Sequence, residues 1–385
     1  RSPPPSQSAS TPLLVADLGA MAAFAFEEIS NTCPLWVKDC LVSIAAEDYA
    51  VAMKTARENW ETSCKKKDAL GKVYGLLAVA KIHLGTGELY DAKEVLEKAA
   101  PMLATLKDDS LEAAVKHAQA RVSLKMCNFA RALEAAEEAA GLFFKAGSKA
   151  GEASALGSVA EVHFAAQKKQ EALKVAKQAV AIFKDINEKL GESCALETTV
   201  RINLGMKKHE DALRAANEVL GIFQGGDDTA RLGAAMLLVS DVRKAMGEAG
   251  EAEEVASKAV ELFESAMDRR SQAKALRKLA DTCFANNNLT DGWTYVKEAR
   301  EICASLGNKQ GEANALCQIA AAHFSVGSFE EGTHIAEEGI KLCREEDYKE
   351  ALANLLWTVA DGHMAEVTAG AAGPRESHLN WMARK

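Results

Sequence analysis

Proline and aromatic residues are scarce in this sequence. Its 385 residues include 7 prolines, and Phe, Trp and Tyr together make up 6% of the chain. Alanine, leucine, glutamate and lysine are abundant, and runs of β-branched residues are few. Because proline interrupts helices and the abundant residues favour them, this composition predicts an all-α protein. The hydrophobic share of 48% is ample for a folded core.

The sequence also lacks a long hydrophobic run and an excess of positive charge. No apolar stretch approaches the roughly 18 residues that a membrane-spanning helix needs, so we expect no membrane span. The net charge is −9, and the chain contains no basic stripe. Since nucleic acids are bound largely through positive charge, neither DNA binding nor RNA binding by helical repeats is expected.

Cysteine pairs are missing as well. The nine cysteines are single and scattered, their number is odd, and none belongs to a C-x-x-C motif. Such a pattern indicates a reducing compartment and not a framework of disulfides. We therefore expect a cytoplasmic protein.

Motifs of the common catalytic sites are absent. The chain has no G-x-x-x-x-G-K-[ST] phosphate loop, no H-E-x-x-H metal motif and no G-x-S-x-G nucleophile motif. Gly85-Thr86-Gly87 follows a helical pattern and no strand, so it is interpreted as a helix turn and not as a dinucleotide loop. The sequence thus predicts no enzyme activity and no cofactor.

What the sequence has instead is a repeat of 40 residues. The hexapeptide G-E-A-S-A-L at 151–156 returns as G-E-S-C-A-L at 191–196 and as G-E-A-N-A-L at 311–316. The same register gives S-Q-A-K-A-L at 271–276, and no insertion or deletion breaks it. A fixed period of this length is typical of a stacked helical array.

Each repeat divides into two helices. In the repeat 151–190, hydrophobic residues recur at helical spacing over about 151–166 and again over about 170–186. Glycine permits the left-handed backbone that ends a helix, and several turns are expected to use it. The glycines predicted to mark turns are Gly85, Gly87, Gly205, Gly247 and Gly327.

Two positions of the second helix hold small residues, which indicates that paired helices approach closely. The first position is occupied by Ala52, Ala92, Ala132, Ala172, Ala212, Ala252, Gly292 and Gly332. Seven residues after it in the repeat stand Ala99, Ala139, Ala179, Val219, Ala259, Ala299 and Gly339. The middle of the first helix is also small, at Ala80, Ala120, Ala160, Ala280, Ala320 and Ala360.

These small positions resemble the signature of the tetratricopeptide-repeat (TPR) family. The 40-residue period is similar to the long-repeat branch of that family, seen in kinesin light chains and LGN-type spindle-orientation scaffolds. The resemblance implies a right-handed α-solenoid of about eight helix-turn-helix repeats with terminal capping helices. One row of the first helix departs from this branch, because Lys278 and Gln318 are among the residues that replace its asparagine.

The predicted organisation follows the repeat. Residues 1–12 are of low complexity and expected to be disordered, and 13–30 are expected to form a capping helix. The solenoid is predicted over 31–366, with Pro34 interrupting its first helix. Its repeats are 31–70, 71–110, 111–150, 151–190, 191–230, 231–270, 271–310 and 311–350, followed by a capping helix at 351–366. A flexible tail is expected over 367–385.

Histidines recur at one position of the repeat, which raises the possibility of a metal or proton-relay ladder. The four are His83, His163, His323 and His363. Other repeats place residues without common ligand chemistry there, and repeats about 10 Å apart are too distant for two imidazoles on one zinc. We therefore expect half-buried packing histidines and no metal site. Trp293 and Tyr295 raise a similar choice between an exposed contact patch and packing beside Gly292, and packing is favoured.

In the TPR family the first helices line a concave groove, and the resemblance places a partner site there. One row of that face, expected to be exposed, reads Lys81, Arg121, Glu161, Arg201, Asp241, Asp281, Ala321 and Asp361. A second row, four residues earlier, reads Leu77, His117, Gly157, Glu197, Leu237, Arg277, Cys317 and Trp357. The early repeats have an excess of positive charge and the late ones an excess of negative charge. This distribution would orient an extended peptide with its acidic part toward the early repeats, although solvated helices carry charge in any case.

The candidate partner-binding residues are Lys81, His117, Arg121, Lys125, Arg201, Asp241, Arg277 and Asp281. The sequence predicts a scaffold or adaptor that binds a protein or an extended peptide segment. It does not indicate the oligomeric state of the protein. The alternative is a regulatory TPR module of a larger enzyme or motor assembly whose other domain lies outside this chain.

Overall fold

The computed structural model describes residues 34–45, 49–345 and 348–368. The predicted segments 1–12 and 13–30, and residues 369–385 of the predicted tail, lie outside this range. The described residues form helices and turns without a strand. The helices are α1 (Leu35–Ala45), α2 (Tyr49–Lys66), α3 (Ala69–Thr86), α4 (Leu89–Leu106), α5 (Asp109–Lys125), α6 (Phe129–Lys145), α7 (Lys149–Ala165), α8 (Lys169–Asp185), α9 (Lys189–Gly205), α10 (His209–Phe223), α11 (Thr229–Met246), α12 (Ala249–Ser265), α13 (Arg269–Ala285), α14 (Leu289–Ser305), α15 (Lys309–Ser325), α16 (Phe329–Glu345) and α17 (Lys349–Thr368).

The helices belong to two compact units. The first unit ends at Met206 and contains α1 to α9, and the second begins at Lys207 and contains α10 to α17. Within each unit, consecutive helices pack against each other, and the first helix of a pair also contacts the first helix of the next pair. Each unit is therefore a stack of helix pairs, the arrangement that the 40-residue period predicts.

Pro34 does not interrupt the first helix as the sequence suggested. Helix α1 begins at Leu35, directly after the proline, and the carbonyl oxygen of Pro34 accepts a hydrogen bond from the amide of Val37 at 3.0 Å. A proline has no amide proton to donate, and the start of a helix is where that loss costs least. None of the described helices is long and apolar enough to cross a membrane.

The small-residue positions of the second helices lie in the core, as predicted. The described alanines of both positions have no exposed surface. Gly332 and Gly339 of α16 are buried at the same two positions. Because no side chain longer than a methyl group separates the backbones at these positions, Val219 excepted, the paired helices approach closely.

Left-handed backbone recurs about every 20 residues, once in each turn between helices from Lys67 to Gly327. Glycine occupies it at Gly87, Gly147, Gly225, Gly247, Gly307 and Gly327, and other residues at Lys67, Lys107, Cys127, Gln167, Asn187, Lys207, Met267 and Asn287. The predicted turns at Gly87, Gly247 and Gly327 are therefore confirmed. More than half of these turns use a residue with a side chain, at a conformational cost that glycine avoids.

Gly85 and Gly205 were wrongly predicted to mark turns, since both lie inside helices. A Cβ atom at Gly85 would lie 2.6 Å from a ring carbon of Tyr49, and one at Gly205 would lie 2.7 Å from a ring carbon of Phe164. These two glycines make room for an aromatic ring and have no role in reversing the chain.

The glycine that opens the repeated hexapeptide has the same function. A Cβ atom at Gly151 would lie 2.4 Å from the ring of Phe143, and one at Gly191 would lie 2.1 Å from the ring of Phe183. Both phenylalanines lie near the end of the preceding helix and are buried. The recurrence of glycine in the sequence thus reflects a ring that packs on helix backbone.

The cost of a left-handed residue with a side chain gives a first prediction. Met267 has a φ of 56°, and its side chain is 86% exposed, so it has little packing to lose. Met267→Gly is expected to raise the free energy of unfolding by about 0.5–1 kcal/mol, because glycine adopts this backbone without a steric penalty. Urea unfolding followed by circular dichroism measures the change. Met267→Ala, which keeps the Cβ atom, should differ little from the parent; an equal gain in both variants would contradict this explanation.

Candidate functional site

Three of the four first-row positions in the first unit are buried, and the fourth, Arg201, is half-buried, which corrects the sequence-based expectation of exposure. Lys81, Arg121 and Glu161 are only 5–6% exposed. In the second row, Leu77, His117 and Leu237 are also buried. The reason is that first helices of successive pairs contact one another, so this side of each helix faces its neighbour as well as solvent.

Two polar contacts connect consecutive first helices along this surface. A guanidinium nitrogen of Arg201 donates to Oε1 of Glu161 at 2.5 Å and to Oγ1 of Thr198 at 3.2 Å. Nε2 of His117 and Oγ of Ser158 lie 2.7 Å apart. Arg201 and Glu161 stand 40 residues apart and His117 and Ser158 stand 41 apart, so the repeat itself brings these pairs together, whereas Thr198 belongs to the same helix as Arg201. Ser158 and Thr198 were not among the predicted site residues.

His117 is uncharged in this environment. Burial lowers the pKa of its imidazole to about 3, and the positive charges of Arg121 and Lys81 contribute to the decrease. Its Nδ1 is buried and has no hydrogen-bond partner. The imidazole therefore offers one nitrogen to Ser158, and its other nitrogen is buried without a hydrogen-bond partner.

A small pocket lies between α3, α4 and α5. Its polar lining consists of Lys81, His117 and Arg121, and its apolar lining of Ala80, Leu84, Leu96, Ala114, Ala118 and Val122. Its volume of about 10 Å³ is close to the space that one water molecule needs. Two cations and a neutral histidine thus converge on a single apolar-walled opening.

Positive charge exceeds negative charge along this surface. Lys81, Arg121 and Arg201 occupy three of the four successive positions, and Glu161 is the one carboxylate among them. Burial lowers the pKa of Arg121, while the nearby Glu161 raises it. Lys81 and Arg121 also interact with neighbouring groups of the fold. Lys125, half-buried at the end of α5, adds a further positive charge on the same helix.

In the second unit the predicted acidic residues are engaged by neighbouring side chains. Asp241 forms an ion pair with Lys278 and lies 3.9 Å from Nζ of Lys244. Asp281 accepts a hydrogen bond of 2.5 Å from Nε2 of Gln318, which also donates to the backbone carbonyl of half-buried Arg277 at 2.6 Å. The negative excess predicted here is therefore offset at Asp241. The partners Lys278 and Gln318 occupy the row in which the resemblance implies asparagine.

The repeated histidines are half-buried, as predicted. His83 pairs with Glu88, and Nδ1 of His363 lies 3.4 Å from Glu366. The ring of His323 packs edge-on against Trp293, with centroids 4.3 Å apart, and Trp293 in turn contacts Phe284. Trp293 and Tyr295 are both packed against buried residues, which confirms packing for them over an exposed patch.

Comparison with known proteins identifies the fold and leaves the family open. The sequence matches no protein-family model and no curated protein. Similar structures include aspartyl phosphate phosphatase F from Bacillus subtilis, with 11% identity, a TM-score of 0.56 and coverage of 85% of this chain and 95% of that one. A Rap protein complexed with competence and sporulation factor has 14% identity, a TM-score of 0.52 and coverage of 88% and 98%.

A third similar structure contains the tetratricopeptide repeat. It is a signal-transduction ATPase with a tetratricopeptide-repeat sensor from Pyrococcus horikoshii, with 15% identity, a TM-score of 0.50 and coverage of 83% of this chain and 50% of that one. The chain therefore has the TPR-like repeat fold that its sequence resembles. At these identities the likeness concerns the fold alone, so neither the phosphatase nor the ATPase activity is transferred to this chain.

Proposed function

We propose that this chain is a protein-interaction module whose first unit binds an acidic segment of a partner protein. The bound segment would lie against the first helices α3, α5, α7 and α9. The observation that carries the proposal is the row of first-helix positions in which Lys81, Arg121 and Arg201 accompany one carboxylate, Glu161. The role is one of binding, and the proposal assigns no catalytic step to the chain.

The chemistry of the surface favours a carboxylate over other groups. Removing cations from water is costly, and a partner carboxylate close to Lys81 and Arg121 would offset part of that cost. Arginine is well suited to this because its planar fork can donate two hydrogen bonds to one carboxylate. The free Nδ1 of His117 would donate a further bond when Ser158 donates to Nε2.

A polypeptide is a more suitable partner than a nucleic acid. The net charge of the chain is −9, which opposes a polyanion over long distances, whereas a short acidic segment needs only the local excess of positive charge. Repeat proteins present extended surfaces, and such surfaces suit extended segments. A complex of one structural neighbour with competence and sporulation factor is compatible with this role but, at 14% identity, does not establish it.

The proposed compartment is the cytoplasm. The eight cysteines of the described residues form no disulfide with one another, and five of them are buried. Free thiols persist where the surroundings are reducing. The same surface would serve an adaptor or a regulatory part of a larger assembly, which is the second function suggested by the sequence.

Peptide selection from a random display library tests the proposed binding. We expect peptides selected by the parent protein to be enriched in Asp and Glu. Their affinity should fall as salt rises, because salt screens the exposed carboxylates of the peptide and the half-buried Lys125 and Arg201. Lys81→Met/Arg121→Met removes both charges and leaves unbranched apolar side chains in their place. Affinity for the selected peptides, measured by fluorescence anisotropy, should decrease at least tenfold, equivalent to about 1.4 kcal/mol.

The matched control is Lys244→Met/Lys278→Met, which also removes two positive charges, here from beside Asp241. This variant should retain parental affinity. Selected peptides without acidic enrichment, or an equal loss in both double variants, would contradict the proposed site.

A further inference from the structure

The turn between α3 and α4 brings three possible metal ligands together. The amide of Glu88 donates to the carbonyl of His83 at 2.8 Å, and Gly87 between them has a φ of 83°. This backbone bond places the side chains of His83 and Glu88 side by side. Asp91, in the first turn of α4, lies next to them.

The ligand atoms of these three residues converge. Nδ1 of His83 and carboxylate oxygens of Glu88 and Asp91 all lie within 4.8 Å of one another. The imidazole is half-buried and paired with Glu88, which also accepts a hydrogen bond from Oγ1 of Thr86 at 3.3 Å, and the two carboxylates are exposed. Closing the ligands onto an ion with bonds of about 2.0–2.2 Å therefore requires only side-chain rotation.

An equivalent turn in the second unit shows that this geometry holds a cation. Arg243, Glu248 and Glu251 stand 160 residues after His83, Glu88 and Asp91, which is four repeats. The guanidinium of Arg243 binds both carboxylates, with 3.0 Å to Oε2 of Glu248. Two carboxylates in this position thus enclose a positive charge that the residue at position 243 supplies itself.

We propose that His83, Glu88 and Asp91 bind a divalent transition-metal ion of the Zn²⁺ type. One imidazole nitrogen and two carboxylate oxygens suit zinc, whereas calcium and magnesium prefer oxygen ligands alone. The metal takes the position that the guanidinium has in the Arg243 turn. All three ligands belong to one repeat, so the site differs from a ladder of histidines between repeats.

Zinc titration of the full chain tests the site, with isothermal calorimetry as the readout and thiols alkylated beforehand. We expect one equivalent of Zn²⁺ to bind to the parent and none at this site in His83→Arg. That substitution supplies the positive charge internally and copies the arrangement of the second unit, so it should preserve the fold. Asp91→Asn, which removes one ligand and changes little else, should weaken binding at least tenfold.

A variant designed to gain a second zinc site tests the proposal more directly. Arg243→His gives the second turn one imidazole and two carboxylates, with Glu251 in the place of Asp91, and should add a second equivalent of Zn²⁺. Glu137→Gln, a surface carboxylate on α6, is the control and should leave the stoichiometry at one. A parent without bound Zn²⁺, or unchanged binding in His83→Arg and Asp91→Asn, would overturn the proposal and leave His83 as an ordinary partner of Glu88.

Discussion

Replacing Phe183 with alanine is expected to lower the free energy of unfolding by about 3–5 kcal/mol. The ring is 1% exposed and packs directly on the backbone of Gly191 in the next helix. No neighbouring side chain can fill the space, because glycine has none. Urea unfolding measures the loss, and hydrogen exchange in α8 and α9 shows whether it begins at this contact.

Adding a methyl group on the other side of this contact tests the same packing. A Cβ atom at Gly191 would lie 2.1 Å from the ring of Phe183, so Gly191→Ala should cost about 1–3 kcal/mol through overpacking. Gly141→Ala is the matched control, since Gly141 is also helical and no atom lies within 4 Å of its Cβ position. That change should be neutral or stabilising by up to about 1 kcal/mol. Destabilisation of equal size in both variants would contradict the proposed contact.

The second large effect concerns pH. The pKa of His117 is lowered from 6.5 to about 3 in the folded chain, so below pH 6.5 the unfolded chain binds a proton that the folded chain does not. The contribution of His117 to the free energy of unfolding is therefore fully present above pH 6.5 and is lost as the pH falls toward 3. Each unit by which the pH falls in that window lowers the free energy of unfolding by about 1.4 kcal/mol, so the protein is roughly 2–3 kcal/mol less stable at pH 4.5.

The variant His117→Gln isolates this effect, because glutamine keeps a polar side chain and does not titrate. Carboxylates also titrate below pH 5, but they do so in both proteins. When the free energy of unfolding is plotted against pH, the difference in slope between parent and variant should therefore report His117 alone. Unfolding free energies from urea titrations at pH 7.0, 6.0, 5.0 and 4.5 give both slopes. Parallel slopes would show that the imidazole is protonated in the fold.

Much of the fold follows from the sequence because the repeat samples the same packing position many times. The alanine series that includes Ala92 and Ala132 identifies a buried helix contact, since only a shared steric limit keeps such a position small. Residues that cap the N-termini of helices also recur. Side chains that cap the first turn of a first helix stand at intervals of 40 or 80 residues, at Asp108, Ser148, Asp228 and Asn308.

The candidate site was less predictable, because helical periodicity identifies a face and not what covers it. Lys81 and Arg121 were expected to be exposed, and the contact between successive first helices buries them. The pairing of Asp241 with Lys278 depends on two rows that meet across helices, so neither row alone reveals it. The same limit explains Gly85, whose role is set by Tyr49 of the preceding helix.

The regular spacing of left-handed turns also restricts how the chain can change in length. Deleting one residue from the middle of α8 would rotate everything after it by about 100° around the helix axis. Ala172 in the first half of the helix and Phe183 near its end, both of which are buried, would then no longer face the core together. Removal of 40 residues, in contrast, joins equivalent positions and keeps each contact type. Viable insertions and deletions in such a chain should therefore come in whole repeats or fall in the turns, so that gene duplication and not drift sets its length.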